Sequence, residues 1–267
     1  MKLRPIAGIV LRQVYLLRGS PVRVFPMVTW VAIDIVLWGF ITRYLNAVSG
    51  SGVNFVPTLL GAVLLWDFCT RIMQGVMTAF LEDVWSRNFL NLFASPLSIS
   101  EYIAGLVITS ILTSTIGLIV MLILATAVFH LQFFALGASL AAFLMVLFVF
   151  GITLGIFGCA IVLRLGPASE WLLWPLPALL SPFAAVFYPL SVLPRWMQWG
   201  AYALPPAYVF EGMRSLLNEH AFPHRLLVQG AAVAAAELLL AGWTYAHVYR
   251  RAVRSGLLAR YSAEGAA

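Results

Sequence analysis

Four ionisable residues, Asp34, Asp67, Arg71 and Glu237, stand inside long apolar stretches of the chain. A charged side chain in mid-membrane costs about 2.5–3.5 kcal/mol on insertion scales, so each must pair, face an interior or line a wet path. Asp67 and Arg71 are four residues apart, which places them on one helical face and lets them pair. Two readings stay open for that couple: a structural ion pair, or a direct part in a translocation path. Asp34 and Glu237 fall near the middles of their runs, where a partner helix, a subunit interface or a water-filled cleft would accommodate them. Nothing here resembles catalytic machinery. The four histidines, His130, His220, His224 and His247, are scattered along the chain, with no metal-ligand spacing and no Ser/His/Asp set.

A second group is polar and lies between two apolar runs. Phe80 to Glu101 holds three of the ten acidic residues, together with apolar residues at helical spacing and the Ser95-Pro96 stop. Glu82, Asp83 and Arg87 beside Phe89 and Phe93 make a short amphipathic helix, suited to receive a push from a docked cytoplasmic partner. A third group follows the last proline-rich run. Pro194-Arg195-Trp196 begins an aromatic, amphipathic piece, Pro205-Pro206 interrupts it, and a helical pattern with Glu211 and Arg214 resumes to Leu217. Both pieces are too short and too charged to cross as spans. They fit a re-entrant helical pair in the outer leaflet, shielded by protein or water, or else an ordinary external loop.

The elements that must position these residues follow from composition. Hydrophobic residues make up 62% and charged residues 10% of the chain, against about 25% charged in soluble domains. Tyr102 to Leu163 contains no Lys, Arg, Asp or Glu. As one helix it would extend about 93 Å, three times a hydrocarbon core of about 30 Å, so it must turn back, near His130-Leu131-Gln132. The chain is an all-α integral membrane protein. Six spans are expected, about 24–45, 55–79, 102–129, 133–163, 171–193 and 226–249. The fifth carries Pro175, Pro177, Pro182 and Pro189 and is expected to be kinked or broken.

Residues 1–23 contain five basic and no acidic groups and read as an amphipathic helix in the cytoplasmic interface, against anionic lipid headgroups. No cleavable signal is expected, because Arg12 cuts the first apolar run short. With residues 24–249 as the bundle and 250–267 as a tail, both termini inside put eleven Lys and Arg on the cytoplasmic side and four outside. Topology therefore accounts for the net charge of +6 without nucleic acid. Cys69 and Cys159 lie in apolar runs as packing residues. Trp30, Trp38, Trp66, Trp171, Trp174 and Trp243 are belt or packing residues, or line a path for an amphipathic solute. Neither the converging ligands of an intramembrane enzyme nor the repeated polar faces of a channel are read from these spans.

The two outlying groups resemble those of the type-2 permeases of ABC exporters, which include drug, lipid and polysaccharide export subunits. One stretch is Phe80-Leu81-Glu82-Asp83 through Ser95-Pro96-Leu97 to Gly105. The other is Ser181-Pro182 through Phe187-Tyr188-Pro189, Leu193-Pro194 and Leu204-Pro205-Pro206 to Glu211-Gly212-Met213-Arg214. The resemblance covers nearly the whole chain and makes residues 1–267 a single permease domain. It implies a dimer with a second permease copy, two ATP-binding cassette subunits carrying the ATP and magnesium, and a place in the cytoplasmic membrane. It leaves an amphipathic or lipid-like small molecule and a lipid-linked polysaccharide open as cargo. The chain has no G-x-x-x-x-G-K-[ST] phosphate loop, so no nucleotide cofactor is expected on it.

Overall fold

The computed structural model describes residues 3–49, 56–86, 88, 92, 95–130, 137–219 and 222–255. Among them five helices are long and apolar enough to cross a membrane. Hydrocarbon cannot satisfy backbone N–H and C=O groups, so a crossing chain folds into helices that satisfy their own. Helix α1 (Leu3–Gly19) precedes α2 (Pro21–Ser49). A π turn (Val56–Leu60) leads into α3 (Gly61–Trp85), followed by α4 (Ile99–Phe129) and α5 (Gly137–Leu165). Two short helices, α6 (Glu170–Leu173) and α7 (Leu176–Leu180), precede α8 (Arg195–Tyr202), α9 (Pro205–Glu219) and the long α10 (His224–Arg254).

Several boundaries differ from the expected ones, and the turn after α4 agrees. The first long helix starts at Pro21, because Ser20 alone separates it from α1 and Pro21 fits a first helical turn. The last runs to Arg254, so the expected tail begins inside a helix. The turn after α4 begins at His130, whose φ of 55° makes a left-handed cap with its N–H on Thr126 O. Leu131 and Gln132 lie outside the described residues.

The expected fifth span is no continuous helix. A 3-10 turn at Pro167–Ser169, α6, α7, the turns at 181–188 and a 3-10 turn at Leu190–Val192 take its place. Pro175, Pro177, Pro182 and Pro189 each lack an N–H, and Ala185 adopts a left-handed φ of 52°.

Helix α5 is the centre of the bundle, with α3 along one side and α10 along another. Its glycines let α3 approach closely. A methyl group at Gly151 would come within 2.7 Å of Cys69 O, and one at Gly155 within 2.7 Å of Val76 Cβ. Such small-residue seams replace the hydrophobic driving force that helices lack in lipid. Opposite, α3 meets α4, where Ser110 Oγ donates to Ile72 O at 2.7 Å. Helix α4 begins with a capping box: Glu101 N donates to Ser98 Oγ at 3.3 Å, and Ser98 N donates to Glu101 Oε2 at 3.1 Å. The S-x-x-E spacing announces that start.

Gly151→Ala is expected to destabilise the bundle by about 1–3 kcal/mol, because the added methyl meets backbone that cannot rotate away. Gly8→Ala, with open space at the same atom, is the control. Thermal unfolding in detergent checks both; equal midpoints would mean that α3 and α5 are not in this register.

Candidate functional site

Helix α3 has two faces. One packs with Phe68, Ile72, Val76 and Phe80 into the apolar core. The other carries Asp67, Thr70, Arg71, Gln74, Thr78 and Glu82, one stripe at helical spacing, and lines a cavity of about 610 Å³. Opposite it α4 contributes Thr109, Thr113, Ser114 and Gly117, α2 contributes Trp30 and Asp34, and α1 contributes Gln13 and Leu17. A repeated polar face therefore exists on α3, which the reading of the spans along the chain did not find. Two of the hydroxyls are met within their own helices: Thr70 Oγ1 donates to Trp66 O at 3.0 Å and Thr113 Oγ1 to Thr109 O at 3.1 Å.

Asp67 and Arg71 pair as their spacing predicts. Arg71 Nε donates to Asp67 Oδ2 at 2.6 Å and Nη2 to Oδ1 at 3.2 Å, a two-point contact on one helix. Gly117 of α4 makes room for this side chain, since a methyl there would lie 3.2 Å from Arg71 Cδ. The pair forms within α3 and lines the cavity, so a structural part and a part in the path are not exclusive. Asp34 lines the same cavity from α2, whereas Glu237 on α10 does not. One carboxylate oxygen of Glu237 is buried without a hydrogen-bond partner among the described residues.

Of the aromatic candidates, Trp30 and Trp174 line the cavity. Trp38 stacks on Phe187 at 5.2 Å, Trp66 lies 6.3 Å from Phe210, and Trp171 and Trp243 are exposed on the outer surface.

The group expected on the cytoplasmic side departs from expectation. Glu82 and Asp83 occupy the last turn of α3, not a separate helix, and Arg87, Phe89 and Phe93 lie outside the described residues. Asp83 is only 1% exposed, so its carboxylate does not face a docking partner. It meets Arg12 Nη2 of α1 at 2.6 Å and accepts the Tyr102 hydroxyl of α4 at 2.8 Å, which ties three helices together. Glu82 pairs with Arg23 at the start of α2. Trp85 Nε1 donates to Glu170 Oε2 at 3.0 Å, linking α3 to α6. The sequence showed these carboxylates but not their partners, because Arg12 lies 71 positions before Asp83.

In the third group, Pro205 and Pro206 open α9, where missing N–H groups do no harm. Arg214 directs its guanidinium onto the carbonyls of Ala185, Val186 and Tyr188, the left-handed turn of the broken segment. Glu211 accepts the Leu190 N–H, and at 3.6 Å its contact with Arg214 is the weaker link. Two charged side chains of α9 thus satisfy backbone that no helix satisfies. Among the described residues no group of three or more His, Cys, Asp or Glu is placed to hold a metal ion.

The ABC-2 type transporter family model matches residues 21–218, taking in α2, the cavity-lining faces of α3 and α4, and nearly all of α9. The chain belongs to the ABC-2 type transporter family. It is a multi-pass membrane protein and the membrane component of a transporter of the ABC type, a family that works with ATP-binding cassette subunits. A search of curated proteins finds no match to this permease.

Asp67→Asn and Arg71→Gln each leave one member of the pair stranded in the permease cavity. Each is expected to cost about 1–3 kcal/mol, below the range for fully buried pairs because the cavity admits partial solvation. The double variant should recover most of the loss. Folded yield by size-exclusion chromatography of all four forms checks this; single variants that fold like the parent would remove the pair's structural role.

Proposed function

We propose that this permease is the membrane subunit of an ATP-driven exporter, moving an amphipathic or lipid-like molecule outward across the cytoplasmic membrane through the α2–α3–α4 cleft. The observation that carries this reading is the polar face of α3. It runs from Glu82 at one end of the helix to Asp67, fifteen residues or about 22 Å further along. A purely structural helix would have no use for a stripe of polar groups that long, whereas an amphipathic cargo needs one.

The assembly in this reading has two permease copies and two cassette subunits, with ATP and magnesium held on the cassettes. Residues 1–267 act as one permease domain, with both termini in the cytoplasm as the Lys and Arg bias favours. The broken segment and the α8–α9 pair then complete a sixth crossing and a re-entrant element, with Pro205, Pro206, Glu211 and Arg214 holding its shape. Glu82, Asp83, Arg87, Phe89 and Phe93 belong to the segment that receives the cassette's movement. Asp83 acts there by anchoring: a push on the chain after Trp85 reaches α1 through Arg12 and α4 through Tyr102. Those helices line the cleft, so a rigid-body tilt changes its width.

Reconstitution with the cassette partner in vesicles tests both parts. ATP-dependent movement of a fluorescent amphiphile is expected, and its absence with every cassette able to bind the permease would overturn export. Arg12→Gln combined with Asp83→Asn removes the anchor without stranding a charge. It should keep cassette binding and lower amphiphile-stimulated ATP hydrolysis by about tenfold, some 1.4 kcal/mol of lost coupling. Unchanged stimulation would rule out this route.

A further inference from the structure

Among the described residues the charges lining the cleft do not balance. Asp34, Asp67 and Glu82 face Arg23 and Arg71, which leaves one carboxylate in excess. Glu82 is engaged by Arg23, and Asp67 holds Arg71 at two points. The carboxylate left over is that of Asp34, which makes no direct ion pair among the described residues; the Arg71 charge that acts on it is also held by Asp67 at two points. It lies twelve residues, about 18 Å of helix, from the start of its apolar stretch. Trp30 is one turn away on the same face of α2 and lines the same cavity, so an indole and this carboxylate share one side of the cleft.

A second observation points to an occupant. Ser114 is 3% and Gln13 4% exposed, both line the cavity, and neither Ser114 Oγ nor Gln13 Nε2 has a hydrogen-bond partner among the described residues. Buried polar groups left so are costly unless a bound molecule or water meets them. At about 610 Å³ the cavity is within the range of drug-sized ligand sites, about 300–1,000 Å³.

We propose that the cleft selects organic cations: molecules with a protonated amine or quaternary onium group on an apolar body, held with the cationic centre between Asp34 and the Trp30 indole. A carboxylate supplies the counter-charge and an indole face the attraction that a desolvated onium group gains from an aromatic ring. An anionic amphiphile meets the excess negative charge instead and is disfavoured. This deepens the export reading and rests on the cleft being the cargo's path.

The test compares two ions of matched size and shape and opposite charge, tetraphenylphosphonium and tetraphenylborate, by equilibrium dialysis against the purified full-length permease in neutral detergent, with empty micelles subtracted. Saturable binding is expected for the phosphonium and at least about tenfold weaker binding for the borate. Asp34→Asn should weaken phosphonium binding by about tenfold, and Asp34→Glu should retain it. Comparable saturable binding of both ions by the unaltered protein, or no saturable phosphonium binding, would overturn the proposal without any variant having to fold. So would an Asp34→Asn protein, folded by size exclusion, that binds the phosphonium as the parent does. Export is read separately in the vesicle assay. ATP-driven movement of an uncharged amphiphile without phosphonium binding defeats the cation selectivity alone, and phosphonium binding without ATP-driven movement defeats export alone.

Discussion

Hydrocarbon offers no hydrogen bonds, and that constraint shapes each part of this permease. Where the chain runs without proline it satisfies itself as long helices. Where prolines remove N–H groups, between α5 and α8, side chains must step in. Arg214 and Glu211 of α9 do so, and this explains two charges on a helix that otherwise packs Val209, Phe210 and Met213 into the apolar core. The same constraint turns Asp34, Asp67 and Arg71 towards a shared cavity, because no lipid-facing position would tolerate them.

Helix α3 carries both consequences at once. Its apolar face is locked against the glycine seam of α5, at distances where a single methyl would collide, while its polar face stays open to α2 and α4. A helix held hard by α5 and α4 and loosely by α2 is suited to move with the core while the cleft changes width. The α2 side is the looser one: only 19% of its most apolar window is buried, against 61% for α3. Cleft geometry therefore depends on the contacts that reach α2 and α1, among them the Arg23–Glu82 and Arg12–Asp83 bridges at the Trp85 end of α3.

Those bridges alter the sense of the Phe80–Glu101 segment. Read along the chain, Glu82 and Asp83 look like exposed docking charges. In the fold they are the inward end of that segment and bind it to the bundle. An exposed ion pair contributes little, but the Asp83 carboxylate is buried and meets both a guanidinium and a phenol, so losing either leaves a costly remainder.

Much was legible from residue order alone. Membrane residence, the break among Pro175, Pro177, Pro182 and Pro189, the Asp67–Arg71 pair and the proline start of α9 all follow from local rules: run length, missing N–H groups and helical spacing. The polar stripe from Asp67 to Glu82 obeys the same spacing and was readable, although a mean taken over an apolar span hides it. What residue order did not contain is which distant groups meet. That α5 is central, that Arg214 serves the carbonyls near Ala185, that Arg12 reaches Asp83, and that Asp34 makes no direct ion pair among the described residues depend on how helices pack. Helix packing is decided by shape across the whole bundle, at glycines such as Gly151, Gly155 and Gly117, and not by any neighbourhood along the chain.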